Sequence, residues 1–397
     1  MICRKAQKLI LFMIIGVASQ AHAHDYYNML INPREMGLGG SFISVVNDEN
    51  SLWFNPAGIA RDNGIHWTIA NPYAGASNPT VIQNLQNLQN ASKFQSTLNS
   101  LYDQPMWAGG GADTAIIMPH FAFGYYYATD ASLLIDNPVD PTMNLNYLTD
   151  QGLAMGTGWS FGGILDMGLV AKYITRTGVA QSYGADTIAN IINGSSQPSA
   201  IFNNLTNKGS GISLDWGTNI NLPGPGSPTL SFVWNDIGNT SFKPASAGGI
   251  APPTDYSDME AGGSFHFDLP MVNIMPVFQV DEINDSTVQL TNKIHAGVEL
   301  GLPFIDLQTG LYQGYFCYGA GFDLGLINIE AASWGEEMGG QPGQMESRRY
   351  LVQVTLRLGF DELGHLTSGA SSESSSADDS GDSFFDTGEN PYAKVRR

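Results

Sequence analysis

Cysteine is nearly absent. There are 2 in 397 residues, and Cys3 lies in an N-terminal stretch with the layout of a secretory signal. The basic patch Arg4, Lys5 and Lys8 is followed by an apolar run from Leu9 to Val17 and then Ala21-His22-Ala23, which places cleavage after Ala23. The mature chain then keeps Cys317 alone, which excludes an intramolecular disulfide and a cysteine-based zinc cluster. Charge is also scarce, at 14% of residues against roughly 25% in soluble domains. Basic residues are fewer still, with 17 Lys and Arg against 37 Asp and Glu and a net charge of −20. That sign disfavours nucleic acid as a partner. After the signal, no window approaches the roughly 20 apolar residues of a membrane-spanning helix. The six histidines from His24 onward show no His-x-x-His spacing, and there is no phosphate-binding loop. No catalytic residue, metal site or cofactor is expected.

Glycine, 46 residues, and alternation are what the chain has in quantity. Leu153, Met155, Thr157, Trp159 and Phe161 face one way, and Ala154, Gly156, Gly158, Ser160 and Gly162 the other. Ile294, Ala296, Val298 and Leu300 oppose Lys293, His295, Gly297 and Glu299. Tyr350, Val352, Val354, Leu356, Leu358 and Phe360 oppose Leu351, Gln353, Thr355, Arg357 and Gly359. Period two with one apolar and one polar face, in segments of about ten residues, is the pattern of strands that cross a bilayer. Soluble sandwiches have shorter strands, nearer five to six residues. About thirteen such segments are readable between Ile65 and Phe360, and an even count of about fourteen closes an antiparallel barrel. The fold class expected is all-β, a transmembrane antiparallel β-barrel of about fourteen strands over residues 61–360.

Before the first strand lies Arg-Glu-Met-Gly-Leu-Gly-Gly from Arg34 to Gly40, then the apolar run Phe42 to Val46, the acidic turn Asn47-Asp48-Glu49-Asn50, and Asn55-Pro56-Ala57-Gly58. Glycines free the backbone and Asn-Pro sets a turn, while the apolar run needs cover. This pattern resembles the N-terminal hatch of FadL-like outer-membrane proteins, a superfamily that also holds PorV-type secretion-associated barrels. The resemblance implies a hatch over residues 24–60 that plugs the lumen. Gly37, Gly39 and Gly40 would be its hinges and Asn55, Pro56 and Ala57 its anchored end. Trp53 and Phe54, with Phe42 and Ile43, would be pocket walls or hatch packing, and packing is the expectation for Phe42 and Ile43.

Two amphipathic insertions interrupt the alternation. Leu85, Leu88, Ala91, Phe94, Leu98 and Leu101 recur at helical spacing, as do Ile188, Ile191 and Ile192. They resemble helical external loops that offer an apolar groove, or they pack on the barrel rim. The Pro/Ala/Gly-rich loop from Lys243 to Asp258 suggests no chemistry. After Phe360 the Ser/Asp/Gly-rich residues 361–397 cannot bury enough apolar surface to fold. They make a disordered periplasmic tail or, at their aromatic and basic end, a docking peptide.

The resemblance implies passive uptake of hydrophobic molecules such as long-chain fatty acids across the cell outer membrane, with both termini in the periplasm. The partners implied are outer-membrane lipid, a hydrophobic small molecule and the barrel assembly machinery. The alternatives are a PorV-like docking barrel with a secretion component as partner, or a structural outer-membrane protein.

Overall fold

The structure is a computed structural model that describes residues 29–61, 64–77, 102–136, 142–184 and 205–359. Fourteen antiparallel strands follow in order: β1 (His66–Ala70, continued by Tyr73–Ala76), β2 (Met106–Met118), β3 (Phe121–Asp136), β4 (Thr142–Phe161), β5 (Leu165–Gly184), β6 (Asn207–Asn221) and β7 (Thr229–Asn235). The second half holds β8 (Asp258–Ser264, extended by Phe267–Leu269), β9 (Val272–Val280), β10 (Ile294–Gly301), β11 (Ile305–Tyr312), β12 (Tyr315–Asp323), β13 (Ile327–Glu337) and β14 (Glu346–Gly359). Each pairs with its sequence neighbour, and β1 pairs with β14, His66 opposite Gly359 and Tyr73 opposite Gln353. No edge is left, so every strand finds backbone partners without water, as a bilayer requires.

The alternation sorts chemistry between two faces. Leu153 and Met155 on β4, Ile212 on β6 and Val352 on β14 face outward, with Leu153 60% and Ile212 70% exposed. Their neighbours Ala154, Ser213 and Leu351 are buried inside. A continuous outer apolar wall of this kind is costly in water and favourable in lipid. Phe123, Tyr125 and Tyr127 on β3 lie outside, whereas Tyr126 between them turns inward and is buried.

The count of about thirteen readable segments falls one short of the fourteen strands, and β7 and β8, at seven regular residues each, are short for the pattern. The two amphipathic insertions, the signal stretch and the tail beyond Gly359 lie outside the described residues, and with them Leu85, Leu88, Phe94, Leu98, Leu101, Ile188, Ile191 and Ile192.

Residues 29–61 fill the lumen. Short helix α1 (Pro33–Gly37) begins with a capping box, Asn32 Oδ1 accepting from the backbone N–H of Arg34 at 2.8 Å and of Glu35 at 3.4 Å, with Pro33 in the first turn. Two 3-10 turns, Glu49–Leu52 and Pro56–Arg61, follow. Leu38, Phe42, Val46, Leu52 and Ile59 are fully buried and pack on inward positions of the wall such as Ala115, Ala122 and Val170.

Candidate functional site

The inner segment is held in the barrel by shape and by ion pairs. A Cβ built at Gly168 on β5 would lie 2.0 Å from Pro56 O, and one at Gly217 on β6 2.1 Å from Asn55 Oδ1. These wall glycines are therefore the sockets into which the Asn-Pro turn fits. Asn55 Oδ1 accepts from Ala57 N–H at 3.0 Å, Asn55 Nδ2 donates to Ile43 O at 2.6 Å, and the Asn55 amide lies 2.9 Å from that of Asn219. On the opposite wall, Gly39 and Gly40 take positive φ of 70° and 81° against Leu311 and Tyr312, a conformation that glycine reaches without penalty. Gly37 packs against Gln308 and Gly319.

Three arginine–carboxylate pairs join segment and wall. Arg34 pairs with Glu299 on β10 through two bonds of 2.7 and 2.8 Å. Arg61 reaches Asp166 at 2.9 Å and Asn221 at 2.6 Å. Arg357 on β14 reaches back to Glu49 at 3.0 Å. Phe42 and Ile43 donate their backbone N–H groups to Gln279 Oε1 at 2.8 and 3.1 Å. The other buried carboxyl of the segment, Glu35, lacks a basic partner of this kind, and burial pushes it up to about 8.

Among the described residues, two cavities lie between this segment and the rim where β7 meets β8 and β9 meets β10. The larger, about 390 Å³, is walled by Met29, Leu30 and Trp53 of the segment, Tyr126 and Ile174 of the barrel, and the connections 236–257 and 281–293. A smaller one, about 90 Å³, lies between α1, Gln279, His295 and Trp334. A wider depression beside Phe123, Leu153 and Tyr173 belongs to the outer wall, where lipid chains would lie.

Among the sequence-selected residues, Trp53 alone lines the larger cavity, standing edge-on to Tyr126 with ring centroids 5.4 Å apart. Phe54 packs edge-on to Phe42 at 5.2 Å, inside the segment's own core. Gly37, Gly39, Gly40, Asn55, Pro56 and Ala57 make contacts between segment and wall. Gly40 also touches the smaller cavity.

The connection 236–257 carries chemistry that its composition did not suggest. Arg176, fully buried on β5, donates to Asp150 of β4 at 2.7 and 2.8 Å, to Asp255 of the connection, and to Pro253 O at 3.1 Å. Its guanidinium also lies 4.6 Å over the Phe242 ring. The connection is thereby clamped across the barrel mouth. Burial pushes the Asp255 carboxyl up to about 7 against the opposing pull of Arg176. Glu282 is pushed up to about 7 by burial, then by Asp258 and Asp285. Lys172 on β5 pairs with Asp215 at 2.6 Å.

A plugged, fourteen-stranded transmembrane barrel with an internal cavity is the class defined by this geometry. No protein-family model and no curated protein matches the chain. Solved structures of similar fold include the CymD monoaromatic hydrocarbon channel, at TM-score 0.50 and 10% identity over 84% of this chain and 99% of that one. They also include a Pseudomonas aeruginosa FadL homologue (TM-score 0.49, 10% identity, 84% and 99% covered) and the Ralstonia pickettii toluene transporter TbuX (0.48, 9%, 83% and 97%). The chain shares its overall fold with the CymD channel.

Proposed function

We propose that this chain is an outer-membrane channel for passive uptake of hydrophobic small molecules, with residues 24–60 as its hatch, residues 1–23 as a cleaved secretory signal and residues 361–397 as a periplasmic tail. The observation that carries this reading is the cavity of about 390 Å³ whose floor is the plug itself, through Met29, Leu30 and Trp53. An engineered cavity less than half that size accepts benzene, so a small aromatic or a folded alkyl chain fits. Passage onward then requires the segment to shift from its glycine sockets and its three ion pairs. The similar folds of hydrocarbon channels support the same reading.

The test is mass spectrometry of organic extracts from protein purified in mild detergent, compared with a variant lacking residues 25–60. Apolar molecules that accompany the intact chain and are lost from the variant support the reading. Extracts that hold bulk lipid alone in both contradict it.

A further inference from the structure

The cavity's polar lining is strongly one-sided. Asp236, Asp255 and Asp258 approach it from the β7–β8 connection, and Glu282 and Asp285 from the β9–β10 connection. Asp150 reaches it from the wall, Lys172 is the one basic residue among the described residues of the lining, and Lys293 behind the β9–β10 connection is held by Glu282 O at 2.7 Å. Lys172 is engaged with Asp215 at 2.6 Å, and nearby Arg176 is divided between Asp150 and Asp255. Neither is available to a ligand carboxylate without breaking a buried pair. Opposite stand the faces of Trp53 and Tyr126, and the Tyr126 hydroxyl, on a residue only 4% exposed, has no hydrogen-bond partner among the described residues. That hydroxyl opens onto the cavity, and Glu282 Oε2 is buried at its lining with no hydrogen-bond partner among the described residues, so both are placed for a ligand to satisfy.

We propose that the cavity selects a hydrophobic molecule bearing an amine, whose ammonium sits among the connection carboxylates with its apolar body against Trp53, Tyr126 and Ile174. The inference rests on the uptake reading above and narrows its substrate class. An ammonium offers donors to carboxylates and to the Tyr126 oxygen and is attracted to aromatic faces. A carboxylate in the same place meets like charge and two occupied cations, so fatty acids are excluded by the same lining. Glu282 and Asp255, which burial already holds near neutral pH in titration, would be drawn lower by a bound cation.

Three probes of one shape separate the possibilities: 2-phenylethylamine, 2-phenylethanol and phenylacetate, titrated calorimetrically into the full chain in phosphatidylcholine nanodiscs, with empty nanodiscs as control. The expected order is amine tighter than alcohol by about tenfold or more, with no heat from phenylacetate. In the isosteric variant Asp236→Asn/Glu282→Gln, checked for the mobility of a folded barrel, amine affinity should fall to that of the alcohol. Tyr126→Phe should weaken amine and alcohol together by several-fold. Alcohol binding as tight as amine, or phenylacetate binding tightest, overturns the amine inference while the uptake reading stands. Silence from all three probes overturns both.

Discussion

Arg34→Met is the sharpest perturbation of the closed state. Arg34 and Glu299 are 5% and 9% exposed and joined by two bonds, with Gln308 Nε2 a further donor to Glu299 at 3.2 Å. Removing the guanidinium takes both of these charged bonds away from a carboxylate buried in the lumen wall. Breaking a buried pair from one side costs about 3–5 kcal/mol, a shift of roughly 150- to 5000-fold in an equilibrium constant. The barrel's own strands do not depend on this pair, so the shift falls on docking of residues 29–61. Hydrogen exchange should show their amides accelerated while those of β4 and β5 are unchanged, and planar bilayers should show an ion leak that the unaltered chain lacks. The double variant Arg34→Met/Glu299→Met, which leaves no charge behind, should recover much of the loss. Unchanged exchange over residues 29–61 together with unchanged conductance in Arg34→Met would refute the assignment of this pair as a latch.

Gly168→Val puts a side chain where Pro56 O stands, so it should expose the segment to protease at a cost of about 1–3 kcal/mol in docking, while Gly163→Ala, in an open turn with nothing near its Cβ, should not. For Glu35 the docked pKa of about 8 lies above the ordinary 4.5. Docking should therefore be fully supported by this group below about pH 4.5 and weaken as pH rises toward 8, by up to roughly 1.4 kcal/mol per unit. Hydrogen exchange of residues 33–40 against pH measures it, and Glu35→Gln should remove that slope. Asp255→Asn unties connection 236–257 from Arg176 and should speed chymotryptic cleavage at Tyr256, which is exposed. Asp268→Asn, in a pair with His266 on the exposed β8–β9 hairpin, should leave that cleavage as it was.

Much of the barrel is legible in the sequence because lipid and lumen impose opposite demands on successive residues. Leu153 and Met155 must face lipid, and Gly156 and Gly158 must make room for the plug, so the alternation of β4 names both faces at once. Strand β8 is harder to read because Ala261, Gly262, Gly263 and Ser264 satisfy either face. The burial of the Phe42–Val46 run follows from its apolarity, but its partners do not. Arg34 and Glu299 are 265 positions apart, and only barrel closure and register bring them together. Tyr126 is legible in its direction, since Phe121, Phe123, Tyr125 and Tyr127 share the outer face and leave Tyr126 inside with Ala122, but its contact with Trp53 is not. Composition also misjudged 236–257, where one acidic residue matters because a buried arginine on β5 faces it.

The central claim is that apolar molecules pass through the lumen when the segment moves. Uptake of radiolabelled 2-phenylethanol should be followed in cells whose outer membrane carries either the unaltered chain, Arg34→Met, or a version with residues 29–61 tethered to the wall by a reversible cross-link. The account predicts uptake above background for the unaltered chain, loss of it on tethering, and return on release. Uptake that is the same tethered and released would contradict passage through the plugged lumen.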